Sequence, residues 1–282
     1  MRHILVPTDF SATAKTAYHY AIEFARQTQL PIHLVHCYIP ETDPAFPYMA
    51  VNTQEFLNAR QELIKKFRQH TPAPHDGGVL VPVEVRTEIK AGYPTEEIVR
   101  MSEDPEVELI VMGATGEHGL AGQLFGSVST HISRKAHCPV LLVPNGVNFT
   151  GLKNILFASS AEAVHDGVLS RLKNLAIHFG SSVYFVHVRE ANDQKDYQEV
   201  EEHIFDFFFG ESEPVFAFNM DMISADDAVE GLNKYAKLKN IDLTVMVSPR
   251  RSFWEGILHR SKTKAMALNT DIPMLVFHAN EE

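Results

Sequence analysis

The sequence predicts an α/β protein of two tandem doubly wound domains, each an open five-stranded parallel sheet with helices on both faces. Three observations predict it. The length of 282 residues, at about 100–200 residues per domain, is that of two domains. Short apolar runs alternate with amphipathic helical stretches along the chain. That order of elements occurs twice, because the sequence is internally repeated.

The repeat is visible at two fixed spacings. Ile4-Leu5-Val6-Pro7-Thr8-Asp9 is matched 151 positions on by Ile155-Leu156-Phe157-Ala158-Ser159-Ser160, and Val35-His36 by Val186-His187. Leu109-Ile110-Val111-Met112 is matched 134 positions on by Leu243-Thr244-Val245-Met246, and Pro139-Val140-Leu141-Leu142 by Pro273-Met274-Leu275-Val276. The second copy is therefore 17 residues shorter, with the loss in its middle. The copies are assigned to residues 1–146 and 150–282, joined through the turn-rich stretch Asn145–Gly151. A joint this short does not let the halves tumble apart, so a covalently joined pseudo-dimer is expected.

Each element follows from its local pattern. Residues 2–7 form a short apolar run suited to a buried parallel strand, and Ser11 opens a helix with Ala14, Ala17, Tyr18, Ala21, Ile22 and Ala25 on one face. A strand over 32–38 leads to a helix over 52–70, with Phe56, Leu63 and Phe67 inward. Then come a strand over 81–89, a helix over 94–103 beginning at Pro94, a strand over 107–112, a helix over 127–137 and a strand over 139–143. The second copy repeats the order: strand 153–158, helix 163–179, strand 183–188, helix near 195–209, strand near 215–221, helix 225–239, strand 242–247, helix near 261–269, strand 273–277.

Composition narrows the function. The formal net charge is −11, with 12 Lys+Arg against 16 Asp+Glu before Gly146 and 13 against 20 after it, which argues against nucleic acid or a membrane surface as partner. No signal peptide or membrane-spanning run is evident, so a cytoplasmic protein is expected. Cys37 and Cys138 stand alone and are read as reduced and buried. Fifteen histidines show no H-x-x-x-H spacing, and no metal site is predicted; His36 and His187, paired by the repeat, are read as structural.

Ligands of open α/β sheets bind beyond the carboxyl ends of the strands, where strand order reverses. There lie Pro7, Thr8 and Asp9, and the stretch Met112-Gly113-Ala114-Thr115-Gly116 followed nine residues later by Gly126-Ser127-Val128-Ser129. Gly113 and Gly116 admit a sharp turn and a close ligand, and Gly126 returns the chain so that the next amides open a helix. A helix N-terminus of this kind suits a polyphosphate. Asp9 suits a ribose or adenine edge, and equally the cap of the first helix.

These residues, with the closing His137-Cys138-Pro139-Val140-Leu141-Leu142-Val143-Pro144, resemble the universal stress protein family, in its ATP-binding subset. The resemblance covers the first copy and, more weakly, the second. It implies sheet order 3-2-1-4-5 of the adenine nucleotide alpha hydrolase-like, flavodoxin-like kind. It implies ATP, or AMP or ADP, with Mg²⁺ able to accompany the nucleotide. The nucleoside contacts would be Pro7, Thr8, Asp9, Met112, Gly113 and the backbone near Cys37; the phosphate contacts would be Gly116, Gly126, Ser127, Val128 and Ser129. The fifth strands, 139–143 and 273–277, would pair the two domains, and further homo-oligomers and a protein partner are compatible with the family.

The second copy departs from the pattern. Val247, Arg250 and Arg260 replace Gly113, Gly116 and Gly126, Ser160 replaces Asp9, and only Ser261 keeps Ser127's hydroxyl. It is read as a degenerate scaffold that does not bind ATP in the family's way. Its basic stretch Arg250–Lys264, with Phe253 and Trp254, suits an anion or an acidic partner, or else a solvated loop. Phe205, Phe207, Phe208 and Phe209 read as core or interface. No Walker A motif, G-x-S-x-G or acid–base pair specifies a reaction, so a regulatory, non-enzymatic role is expected. An adenylyl-transfer or slowly ATP-hydrolysing enzyme and a ligand-free scaffold are the alternatives.

Overall fold

The computed structural model describes residues 1–40, 42–43, 46–50, 54–71, 81–115, 126–158, 164–189, 198–209, 216–248 and 272–278. They fall into two compact units, one up to Phe149 and one from Thr150. The first comprises β1 (His3–Pro7), α1 (Ala12–Thr28), β2 (Ile32–Tyr38), a short antiparallel pair β3 (Thr42–Asp43) and β4 (Phe46–Ala50), and α2 (Gln54–Arg68). It continues with β5 (Val85–Ala91), α3 (Pro94–Met101), β6 (Val107–Gly113), α4 (Ser127–Lys135) and β7 (Val140–Val143). Its main sheet is parallel throughout, in the order β5-β2-β1-β6-β7. Counted by sheet strand this is 3-2-1-4-5, as the resemblance implies.

The sheet's core is aliphatic and fully enclosed. Ile4, Leu5 and Val6 of β1, Leu34 and Val35 of β2, and Ile110 and Val111 of β6 have no exposed surface, as a strand covered on both faces requires. Helices α1 and α2 form one layer, tied by the Tyr18 hydroxyl donating to Arg68 O at 3.0 Å and by Tyr18 against Phe67. Successive strand residues point to opposite faces. His36 of β2 meets Arg60 of α2, whereas its neighbour Cys37 lies near Glu97 of α3, so α3 covers the other face.

Helix α1 begins as expected: the Ser11 hydroxyl accepts from Ala14 N at 3.1 Å, and Gln29 ends it in the left-handed region. Its buried side extends beyond the expected face to Tyr20 and Phe24, which receive Phe149 edge-on at ring separations of 5.0 and 6.1 Å. Phe149 thereby draws the end of the connecting stretch onto the first unit. Gly146 and Gly151, on either side, have positive φ.

Four expectations are corrected. In α2, Leu63 is 48% exposed and its neighbour Ile64 is buried instead, on one stripe with Phe56, Arg60 and Phe67. The strand expected from residue 81 starts at Val85, with Ile32 N donating to Glu84 O; Pro82 lacks the N–H a ladder needs. The strand expected near 215–221 runs Phe218–Ser224, because Asp221 is accommodated within it by a hydrogen bond from the Tyr235 hydroxyl. The pair β3–β4 was not expected.

The second unit comprises β8 (Asn154–Ala158), α5 (Asp166–Phe179), β9 (Ser182–Arg189), α6 (Gln198–Phe209), β10 (Phe218–Ser224), α7 (Ala228–Leu238), β11 (Leu243–Ser248) and β12 (Met274–His278). Its sheet repeats the order as β10-β9-β8-β11-β12, again all parallel. Phe208 is buried among Phe185, Phe216 and Phe218, a core position, while Phe205 is exposed. Arg250–Lys264 and the helix expected near 261–269 lie outside the described residues. No helix among the described residues is long and apolar enough to cross a membrane.

Candidate functional site

Strand β1 pairs with β2 on one side and β6 on the other, which brings the carboxyl ends of β1 and β6 together where strand order reverses. Pro7 and Thr8 are buried there, and Thr8 N donates to Val35 O at 2.8 Å, carrying the ladder one residue past β1. A tight turn follows. Phe10 N donates to Thr8 Oγ1 and Ser11 N to Asp9 Oδ1, both at 3.0 Å, and Phe10 has φ +66°. Because Ser11 caps α1, Asp9 is not the helix cap; it stands exposed on the turn.

The β6 end is closed by a clasp. Ala114 N donates to Val143 O at 2.9 Å, and Gly126 N donates to Ala114 O at 2.8 Å, so the chain returns from its excursion beside the point where it left. The Ser129 hydroxyl, 2% exposed, lies 2.6 Å from Ala114 O and 3.0 Å from Gly126 O. The first helical bond of α4 runs from Thr130 N to Gly126 O, and no side chain caps the helix. The amides of Ser127, Val128 and Ser129 therefore precede the helical ladder, as orphan donors at the positive end of the helix dipole. Ser127 and Val128 are exposed.

Two of the predicted site residues have structural partners within the domain. The Ser129 hydroxyl proton is committed to loop carbonyls, which leaves its amide as the donor at the helix N-terminus. At Gly113 the missing Cβ makes room for α1: a Cβ there would stand 2.7 Å from Thr13 Cγ2 and 3.2 Å from Thr13 C. Helix packing is by itself a sufficient reason for glycine here. Met112 is buried in β6 and Cys37 at the end of β2, where burial foremost, with Glu97 adding, pushes the thiol up to about 11. Cys37 thus offers backbone rather than thiolate. Gly116 lies outside the described residues.

The universal stress protein family model matches residues 1–144. The chain belongs to the universal stress protein family. Two universal stress proteins of Methanocaldococcus jannaschii are similar to it, one 32% identical over 147 residues, covering 50% of this chain and 81% of its own. The other is 31% identical over 156 residues, covering 50% and 94%. A crystal structure of a universal stress protein from Archaeoglobus fulgidus superposes on 99% of this chain and 97% of its own, with a TM-score of 0.70 at 18% identity, which is a likeness of fold.

Within the universal stress domain, sequence reasoning read His36 as structural but missed its partners at the β1 turn, Phe10 and Arg60. His36, buried, has Nδ1 2.8 Å from Thr8 O and Nε2 2.8 Å from Arg60 Nη1. Its ring stacks on Phe10 at 4.4 Å. Burial foremost, with Arg60 adding against the Thr8 bond, lowers its pKa, so the ring is neutral. The signal was Arg60 itself, an arginine on the apolar Phe56–Ile64–Phe67 stripe of α2.

The second unit differs where it is described. Val247 replaces Gly113 and is buried, and α5 begins at Asp166, the counterpart of Lys15, three residues later than α1 begins. The counterparts of Asp9, Gly116, Gly126 and Ser127 (Ser160, Arg250, Arg260 and Ser261) lie outside the described residues.

Proposed function

We propose that the first universal stress domain binds ATP in a regulatory stress-response role. The observation that supports this is the clasp between Ala114 and Gly126, which sets the orphan amides of Ser127, Val128 and Ser129 at the carboxyl ends of β1 and β6. Successive amides at a helix N-terminus take a polyphosphate, with Gly116 and Gly126 as the loop's glycines. Residues 113–129 hold no lysine or arginine, so binding rests on backbone dipoles, and Mg²⁺ entering with the nucleotide would offset the remaining charge. The nucleoside would lie against Pro7, Thr8, Asp9, Met112 and Gly113, with the backbone at Cys37 reading the base.

This is a binding protein rather than an enzyme: the Ser129 proton is held by carbonyls, and the sequence has no catalytic motif. The second copy is a scaffold that does not take ATP, in a cytoplasmic protein. Mass spectrometry of the nucleotide released on denaturing freshly purified protein tests the ligand. Equilibrium dialysis should give one ATP per chain, lost on Gly126→Arg. Two per chain, or none in the unmodified protein, overturns the reading, and release of AMP with pyrophosphate shows an adenylyl-transfer enzyme instead.

A further inference from the structure

The geometry assigns to Arg60 a positioning role: through His36 it holds the Thr8 carbonyl, and with it the Thr8–Asp9–Phe10 turn, in the form the nucleoside end of the site uses. The inference rests on the ATP reading above. Its basis is donor and acceptor chemistry. A guanidinium can only donate, so His36 Nε2, 2.8 Å from Arg60 Nη1, must accept. The neutral ring then carries its proton on Nδ1 and donates it to Thr8 O at 2.8 Å. The other tautomer would set donor against donor at Arg60 and acceptor against acceptor at Thr8.

Arg60 is itself held in place. Its guanidinium carbon lies 4.4 Å from the Phe56 ring centre and 5.0 Å from that of Tyr38, two rings that themselves pack at 5.4 Å, which holds the side chain against an aromatic pair. The turn it governs is strained: Phe10 has φ +66°, an unfavourable region for an aromatic residue. Besides the turn's own hydrogen bonds, two ring contacts support that conformation, His36 at 4.4 Å and Phe67 at 5.6 Å between ring centres. Helix α2 thus supports the turn twice, once through Arg60 and His36 and once through Phe67. The second copy keeps the histidine as His187 but has Ala161 in place of Phe10 and Ser160 in place of Asp9. The histidine alone does not mark a site; the histidine with Arg60 and Phe10 does.

The test is a double-mutant cycle read two ways in the full-length protein. Arg60→Met keeps the apolar stem and removes the donor. Ring ¹⁵N NMR of His36 should show the proton on Nδ1 in the unmodified protein and a mixture of tautomers in Arg60→Met, with ATP affinity falling about tenfold, or about 1.4 kcal/mol. Arg60→Lys, which still donates to Nε2, should restore both. His36→Asn supplies an amide donor to Thr8 O with no tautomer to choose, so in that background Arg60→Met should cost less than about twofold. Should Arg60→Met not fold, the ring ¹⁵N spectrum of the unmodified protein decides: the proton on Nδ1 supports the role of Arg60, and the proton on Nε2 overturns it. An unchanged tautomer in Arg60→Met, or an equal loss of ATP affinity in both backgrounds, overturns the role of Arg60 and leaves the ATP site standing. A protein that binds no ATP at all overturns both.

Discussion

Gly113 approaches helix α1 so closely that a Cβ on it would meet Thr13 Cγ2 at 2.7 Å. Thr13 is β-branched and buried at the start of α1, and the Thr13 and Thr115 backbones stand 3.2 Å away, so no flexible group can yield. Gly113→Ala should lower the unfolding free energy in urea by about 1–3 kcal/mol. Thr13→Ser, which removes Cγ2, should recover part of that loss in the double variant. A neutral Gly113→Ala would mean that the helix can back away freely.

Ser127 and Ser129 look equivalent in the sequence, yet the structure separates them. Ser129→Ala removes one of the two hydrogen bonds to Ala114 O, leaving that from Gly126 N, and should cost about 0.5–1.5 kcal/mol in urea unfolding, with ATP binding weakened through the loosened clasp. Ser127 is exposed, so Ser127→Ala should stay within about 0.5 kcal/mol in stability. Any loss it causes should be confined to nucleotide affinity, measured by calorimetry.

Helix α2 offers a test of which face is buried. Ile64→Ala should destabilise by about 2–4 kcal/mol, whereas Leu63→Glu, at the exposed neighbour, should change the urea midpoint little. The reverse ranking would restore the face expected from the sequence.

On the face opposite α2, His33 lies between Arg86, whose Nη2 is 2.9 Å from Nδ1, and Glu88, whose Oε2 is 2.9 Å from Nε2. Burial foremost, then Arg86, brings its pKa down to about 4 against the pull of Glu88. Unfolded histidine titrates near pH 6.5, so between those values the unfolded chain binds the extra proton. Stability from neutral His33 is therefore complete above about pH 6.5 and is lost as the pH falls towards 4. His3 and His19, also lowered by burial, act in the same direction. Unfolding free energies from urea titrations at pH 4.5 to 7 should fall on acidification, and His33→Gln should flatten the slope by up to about 1.4 kcal/mol per pH unit. A slope unchanged by His33→Gln would show that the other histidines carry it.

Legibility in the sequence followed the range of the forces involved. The alternation of strands and helices was readable because period is local: three adjacent residues of β1 with no exposed surface look buried from the run Ile4-Leu5-Val6 alone. Ser11 was readable as a helix start because a cap bonds three residues ahead. Leu63 and Ile64 were not separable, since adjacent aliphatic residues differ only by a turn of about 100° that the rest of the domain decides. Asp221 looked like the end of a strand until Tyr235, on the following helix, supplied a partner. In the candidate site, spacing singled out the glycines and serines, but the packing of Gly113 and Ser129 was not legible.

By itself, the sequence determined that this is one fold written twice, with the glycine-and-serine loop in the first copy and arginines in its place in the second. Those are matters of residue type and spacing, which local periodicity and an internal comparison read directly. Only the tertiary structure decided that Gly113 yields to Thr13, that Ser129 turns inward to Ala114 O, and that Arg60 reaches His36 beneath the Thr8 turn. Each joins residues distant in the chain, and direction and partner come into being only when the strands and helices pack.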